Sequence, residues 1–380
     1  MPPPSRRPPA LMEELVEEIL LRFPPSEPAS LFRATLVCKP WRRLICSSGF
    51  RRRLREHHRT APMLGFLCDL KTASDKFDKD DTTFVPTTSF RFPSNAVNPR
   101  WRRVVDALHG RVLIVDASED SCEFPDFLVW NSTDGKVRKL PVPMYTHIWS
   151  AALACAAPGC DHLDCDDDSA FRVAVVATDS FGRFTATFVY SSEQGAWSPP
   201  KTSVPFQHIM NRCMRGPAAR VENKALCFFC VWTKKTLEYD LVNHKLSFVS
   251  LPPECKDWDI ALMSTEDGAL GFTTVLDYNL YLWIREVDDE LIINGGARWS
   301  QRRVIELDKI LPNHALLESP RVLTIVNAVG ITFAATPSGH FSIDLKSGRV
   351  TDIFEGSDQR YIVRDIVLYR IFRTPGTKIK

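Results

Sequence analysis

Leu11-Met12-Glu13-Glu14-Leu15-Val16-Glu17-Glu18-Ile19-Leu20-Leu21-Arg22-Phe23 has the spacing of a helix and carries more apolar surface than a helix of its own needs. At about 100° per residue, Leu11, Met12, Leu15, Val16, Ile19, Leu20 and Phe23 gather over roughly half the circumference, with Glu13, Glu14, Glu17 and Glu18 opposite and Leu21 among the acids. A helix docked on one small core needs a stripe only a little over ~100° wide. The excess implies a partner.

Pro24 and Pro25 stop this helix, because proline biases the preceding residue away from the α region and supplies no ladder donor. Ser26 is the expected cap of a second helix with Pro28 in its first turn, and Leu31, Thr35 and Leu36 are expected to face inward. A third amphipathic segment carries Trp41, Leu44 and Ile45 behind Leu36-Val37-Cys38-Lys39-Pro40-Trp41-Arg42. The spacing thus predicts three short helices, for which a self-packed helical hairpin is the alternative.

On these residues, from Leu11 to about Phe50, the chain resembles the F-box, a helical motif that binds the Skp1-type adaptor of cullin–RING ubiquitin ligases. The family's leading Leu-Pro corresponds to Leu11-Met12, its Leu-x-x-x-Ile-Leu helix to Leu15 through Leu20, and its proline to Pro24. Its later part corresponds to Leu31, Leu36 to Arg42, Leu44-Ile45 and Phe50. Met12 departs from the pattern, giving up a rigid φ but keeping an adaptable apolar side chain. The resemblance implies adaptor contact by Leu11, Met12, Leu15, Ile19, Leu20, Val37, Cys38, Trp41, Leu44 and Ile45, and cullin recruitment through the adaptor.

The chain's 380 residues suit one helical module plus a large second domain. Hydrophobic residues at 44% and charged ones at 25% are those of ordinary globular proteins, and a net charge of +2 gives no general affinity for polyanions. No run approaches the ~18 apolar residues of a spanning helix, and residues 1–10 lack the apolar core of a secretory signal. A disordered tail over 1–10, a cytoplasmic or nuclear location and no membrane contact are expected. Eleven cysteines without framework spacing are expected to be reduced and mostly buried.

Between Lys39 and Thr60 eight basic residues face one acid, Glu56. Nucleic acid is one conceivable customer for such a segment, but no zinc-finger or base-stacking pattern accompanies it, so a solvated helix and a basic linker over 51–60 are expected, with an acidic adaptor surface as a further customer.

From Ala61 onward short alternating runs punctuated by Gly, Pro, Asn and Asp predict an all-β domain. Phe127-Leu128-Val129-Trp130 leads to Gly135, Phe188-Val189-Tyr190 to Gly195, Leu237-Glu238-Tyr239 to His244, and Phe341-Ser342-Ile343 to Gly348. In each unit the turn residue follows the last strand residue by five positions. Leu270 to Val275 with Leu280 to Ile284 form a further unit, carrying an insertion from Glu286 to Ala297, and a weaker one combines Met63 to Leu67 with Phe90 to Arg103. Six units of roughly 50 residues fit a β-propeller, closed by Tyr361 to Phe372, with a β-sandwich as the alternative. The arrangement resembles plant F-box proteins that carry an F-box-associated or kelch-like propeller, although kelch Gly-Gly pairs are lacking. The expected organisation is a tail (1–10), three-helix F-box (11–50), basic linker (51–60), propeller (61–373) and C-terminal tail (374–380).

The densest ligand-like cluster is Cys155, Cys160, His162, Asp164, Cys165 and Asp166 to Asp168. Thiolate and imidazole suit zinc. One loop is an unusual source for all four ligands, however, so neither metal nor cofactor is expected. No phosphate loop, nucleophile elbow or His-Glu-x-x-His is present, and Asp257 with Asp259 or Asp288 with Asp289 fit solvated turns better than an acid–base pair. No catalytic residue is expected, a propeller enzyme being the alternative. Trp149, Trp258 and Trp299 suit either a recognition surface or blade core, which leaves the substrate-binding residues unassigned. The resulting expectation is a non-catalytic substrate receptor of an SCF-type ubiquitin ligase with an unidentified protein target, against a nucleic-acid-binding propeller as the rival.

Overall fold

The computed structural model describes residues 12–72, 81–92, 103–116, 126–141, 147–165, 169–178, 184–200, 203–205, 214–230, 235–255, 260–265, 267–286, 298–326, 330–354 and 361–375. Leu11, the expected tail over 1–10, residues 376–380 of the expected C-terminal tail, Asp166 to Asp168, Asp257 to Asp259 and the 287–297 insertion lie outside them, whereas Thr374 is buried.

Four helices open the chain: α1 (Glu13–Leu21), α2 (Pro28–Ala34), α3 (Lys39–Ile45) and α4 (Ser48–His58). The first three are those the spacing predicts, and α4 takes up most of the stretch expected as a linker. Its Ser47 N-cap explains this, since the side-chain oxygen accepts a bond from the Phe50 amide at 3.1 Å, satisfying an orphan donor at the helix start. Glu27, without a side-chain bond, rather than Ser26 occupies the N-cap of α2, and Pro28 opens that helix.

Strands follow in chain order: β1 (Met63–Thr72), β2 (Asp81–Pro86), β3 (Arg103–Leu108), β4 (Arg111–Asp116), β5 (Asp126–Asn131), β6 (Val137–Leu140), β7 (His147–Cys155), β8 (Phe171–Thr178), β9 (Phe184–Ser191), β10 (Ala196–Trp197), β11 (Ser203–Pro205), β12 (Met214–Val221), β13 (Ala225–Cys230), β14 (Lys235–Asp240), β15 (Leu246–Ser250), β16 (Ile260–Ser264), β17 (Leu270–Leu276), β18 (Asn279–Glu286), β19 (Arg298–Glu306), β20 (Arg321–Val326), β21 (Ile331–Thr336), β22 (Gly339–Asp344), β23 (Val350–Asp352) and β24 (Tyr361–Arg370). They form six antiparallel sheets: β3 to β6, β7 to β11, β12 to β15, β16 to β19, β20 to β23, and a closing sheet β2-β1-β24. The first strands of successive sheets neighbour one another, and β24 stands between β20 and β3, which closes the ring. The domain is a six-bladed propeller.

The four repeated sequence units mark the third strand of four blades, β5, β9, β14 and β22, and the hairpin after it. Gly135, Gly195, His244 and Gly348 all have positive φ, at 73°, 64°, 55° and 71°. Glycine takes that conformation without the steric cost it imposes on other residues, which is why the motif is visible in the sequence. The weak first unit is a composite: Met63 to Leu67 belong to β1 of the closing blade, whereas Arg103 begins β3 of the next. Phe90 and Phe92 lie outside strands and pack on Tyr369, with ring centroids 5.9 and 4.9 Å away.

Six of the apolar clusters lie between neighbouring blades, and a seventh contains helical-domain residues only. A blade cannot bury both faces by itself, so its core is made at the seams. Polar groups also cross the seams. The buried Asp106 carboxylate of β3 accepts the Leu153 amide of β7 at 2.6 Å and pairs with Arg220 of β12. Asp69 of β1 accepts from Thr82 Oγ1 at 2.9 Å and from the Val104 amide at 3.4 Å. Burial pushes the Asp69 carboxyl up to about 7.

Candidate functional site

The helical domain divides its apolar residues between two faces. Val16, Leu20, Leu21, Leu31, Ala34, Ile45, Phe50 and Leu54 are buried together, with Phe23, Trp41 and Leu44 packed partly against them. α4 covers the side of α1 that carries acids: Arg53 pairs with Glu17 at 2.5 Å, and a His58 ring nitrogen meets the Leu21 carbonyl at 2.8 Å. Leu21 is therefore a core residue, contrary to its expected place among exposed acids.

What remains outward is a group of large apolar side chains: Met12 (64% exposed), Leu15 (47%), Ile19 (47%), Leu36 (84%) and Val37 (64%). Five of the nine exposed large hydrophobics among the described residues thus fall within one short module. Apolar surface concentrated in this way marks an interaction face. Among the residues expected to touch an adaptor, Met12, Leu15, Ile19, Val37 and Cys38 are exposed, Trp41 and Leu44 are half-buried, and Leu20 and Ile45 are fully buried. Leu20 and Ile45 hold the module together rather than offering contact. Leu36, expected to face inward, is the most exposed of the set. It lies in the turn after α2, where helical periodicity no longer fixes its direction.

A second cluster lies where α4 meets the propeller. The loop from β7 to β8 brings His162 and Cys165 beside Cys155, and the β3–β4 turn of the neighbouring blade brings His109. Cys155 Sγ lies 3.4 Å from His109 Nε2, 3.3 Å from His162 Nδ1 and 3.6 Å from Cys165 Sγ, and the two ring nitrogens are 3.0 Å apart. Both histidines have positive φ, at 49° and 63°, a conformation uncommon outside glycine and found where surroundings over-determine it. Burial, with the charges of His162 and nearby arginines, holds the His109 imidazole well below its ordinary range. A hydrogen bond with Cys155, followed by burial, pushes the Cys165 thiol up to about 12. Cys160 Sγ is 3.2 Å from Cys165 Sγ but outside the four-atom group. Sequence reasoning gathered Cys155, Cys160, His162, Asp164 and Cys165 and lacked His109, whose sequence distance from the loop gave no signal.

The same loop carries the helical module. Arg55 of α4 donates to the Leu163 carbonyl at 2.7 Å, and Arg52 pairs with Asp164, which removes that carboxylate from the cluster. From the third blade, Asn223 donates to the Cys160 carbonyl at 2.9 Å. Part of the basic segment thus contacts the propeller and α1, with the Arg52 and Arg53 side chains still about half exposed. Beneath α4, a cavity of about 370 Å³ is lined by Arg55, Arg59, Asp106, Arg220 and Arg370 among others. Trp299 packs edge-on against Phe272 at 4.9 Å and donates to the Ser250 carbonyl at 2.9 Å, which makes it a seam residue. Trp258 lies outside the described residues.

Residues 11–53 match the F-box domain model. The chain is thus an F-box domain followed by a six-bladed β-propeller. No curated protein matches it. Among solved structures, it is similar to TolB from Acinetobacter baumannii at 11% identity, covering 83% of this chain and 70% of that one with a TM-score of 0.46. It is also similar to the periplasmic gluconolactonase PpgL of Pseudomonas aeruginosa at 12% identity, covering 78% and 85%, with a TM-score of 0.41. Likeness at this level says nothing of what the chain does.

Proposed function

We propose that this protein is a non-catalytic substrate receptor of an SCF-type ubiquitin ligase. Its F-box binds a Skp1-type adaptor, and through it a cullin, while the propeller binds a target protein. The observation that carries this reading is the exposed apolar face of Met12, Leu15, Ile19, Leu36 and Val37 on a domain that matches the F-box. The receptor accelerates ubiquitin transfer by proximity, with the chemistry in other subunits.

The plant F-box-associated or kelch-like type of propeller belongs to the same reading, and so does a cytoplasmic or nuclear location. Among the described residues no helix is long and apolar enough to cross a membrane. The nucleic-acid alternative loses support because Arg52, Arg53 and Arg55 are engaged within the protein. The test is affinity capture from native extract with the intact chain and with a chain beginning at Thr60. The adaptor and cullin should be lost with the helices, while target proteins remain. Recovery of adaptor by the shortened chain would refute the proposal.

A further inference from the structure

The four donor atoms of His109, Cys155, His162 and Cys165 lie within 4.8 Å of one another, all in half-buried residues. A tetrahedral zinc centre with ordinary bond lengths separates sulfur from sulfur by about 3.8 Å, sulfur from nitrogen by about 3.6 Å and nitrogen from nitrogen by about 3.3 Å. The corresponding separations here are 3.6 Å for the two sulfurs, 3.3 and 3.4 Å for Cys155 to the two histidines, and 3.0 Å between the ring nitrogens. Two thiolates and two imidazoles also match the softness of zinc and exclude magnesium or calcium as the preferred ion.

We propose that His109, Cys155, His162 and Cys165 bind one zinc ion that fixes the β7–β8 loop as the shelf on which α4 of the F-box rests. This reverses the expectation of no metal, which rested on all four ligands coming from one loop. The ligands come instead from two blades, Cys155 ending β7, His162 and Cys165 in the loop after it, and His109 from the turn between β3 and β4. Four protein ligands close the coordination sphere, so the ion is structural. A partner from outside the cluster braces the loop, since Asn223 of the next blade accepts the Gly159 amide through its carbonyl and donates to Cys160. Such outer contacts orient ligands around a metal.

The shelf then has a mechanical role. Leu163 and Asp164, between two of the ligands, receive Arg55 and Arg52 of α4. In the described residues the junction between the two domains has these polar contacts and no shared apolar cluster. Ordering the loop therefore sets how the propeller stands relative to the F-box. Zinc binding is independent of whether the F-box holds an adaptor; the orienting role toward an adaptor rests on the proposed function.

The test uses the full chain, purified under reducing conditions without added metal. Elemental analysis is expected to find about one zinc per chain. Replacement by Co(II) should give the intense visible bands of a tetrahedral centre with a thiolate charge-transfer band. His109→Asn and Cys155→Ser should each lose most of the metal, while Cys160→Ser keeps it, because Cys160 lies outside the group. Chelation of the wild-type metal should raise hydrogen exchange in residues 156–165 and in α4. The wild-type Co(II) spectrum stands even if a variant fails to fold. A chain with no zinc and no tetrahedral Co(II) spectrum would overturn the site, as would a Cys160–Cys165 disulfide in the reduced preparation. Full zinc in His109→Asn with loss in Cys160→Ser would show a loop-only site and overturn the assignment. Unchanged exchange in α4 on chelation would overturn the shelf.

Discussion

Ile19→Asp separates a proposed adaptor contact from a core position, because Ile19 is 47% exposed whereas its neighbour Leu20 is fully buried. Full burial of an isoleucine contributes about 1.5–3 kcal/mol, so covering the exposed half of Ile19 contributes about 1 kcal/mol to binding. An aspartate forfeits this and also brings a carboxylate into a desolvated interface, at a cost of several kcal/mol before relaxation. A net loss of about 3–4 kcal/mol follows, or some 100-fold to 1,000-fold in Kd, while Ile19→Ala should weaken binding only about five-fold. Isothermal titration of the intact chain with a purified Skp1-type adaptor measures both, and thermal melting by circular dichroism verifies that the fold is kept. Leu20→Asp should instead lower or abolish the melt of the helical domain, since it places a charge in the cluster of Val16, Leu31, Ile45 and Phe50. Unchanged affinity of a folded Ile19→Asp chain would refute the assignment of this face.

Asp69 binds its proton more tightly folded than unfolded, with its folded value about 7 against an ordinary 3.8. Its contribution is therefore fully present below about pH 4 and lost as pH rises through about 7, by at most about 4 kcal/mol. Denaturant melts at pH 5 and pH 8 should show Asp69→Asn gaining on wild type at the higher pH, and a constant difference would contradict the buried-carboxylate account. Tyr369→Phe removes the 2.5 Å contact between its hydroxyl and Ser132 Oγ, which ties β24 to the adjacent blade, and should cost about 1–2 kcal/mol by denaturant titration. A chain beginning at Thr60 should melt cooperatively with a strand-dominated spectrum, because β1 starts at Met63 and the ring closes without the helices; aggregation would place the domain boundary elsewhere. Arg52→Ala with Arg55→Ala should leave adaptor affinity unchanged but raise hydrogen exchange in α4, and unaltered exchange would show that these contacts do not hold the module.

Much of the fold was legible because it is written in local rules. Positive-φ turn residues at a fixed offset from the third strand revealed the blades, and the apolar run from Tyr361 correctly indicated the closing strand, which pairs with β1. α4 was hidden by its charge. Phe50 and Leu54 are its buried residues, too few for a pattern beside six arginine and histidine neighbours. The composite first unit was misassembled because β24, from the far end of the chain, supplies the strand that the local sequence lacks. On the candidate face, periodicity separated apolar from acidic residues but not the two apolar faces, since that division depends on where α4 docks. His109 was invisible for a similar reason: only the stacking of successive blades brings the β3–β4 turn against the next blade's loop. Convergence across blades leaves no spacing to read.

The central claim is that the F-box joins this propeller to a cullin ligase, and sedimentation of the intact chain with a purified Skp1–cullin complex tests it most directly. A single faster species containing one chain per adaptor, absent when the chain begins at Thr60, is the predicted result. A folded, intact chain that sediments alone at concentrations well above those of a stable receptor complex would contradict it.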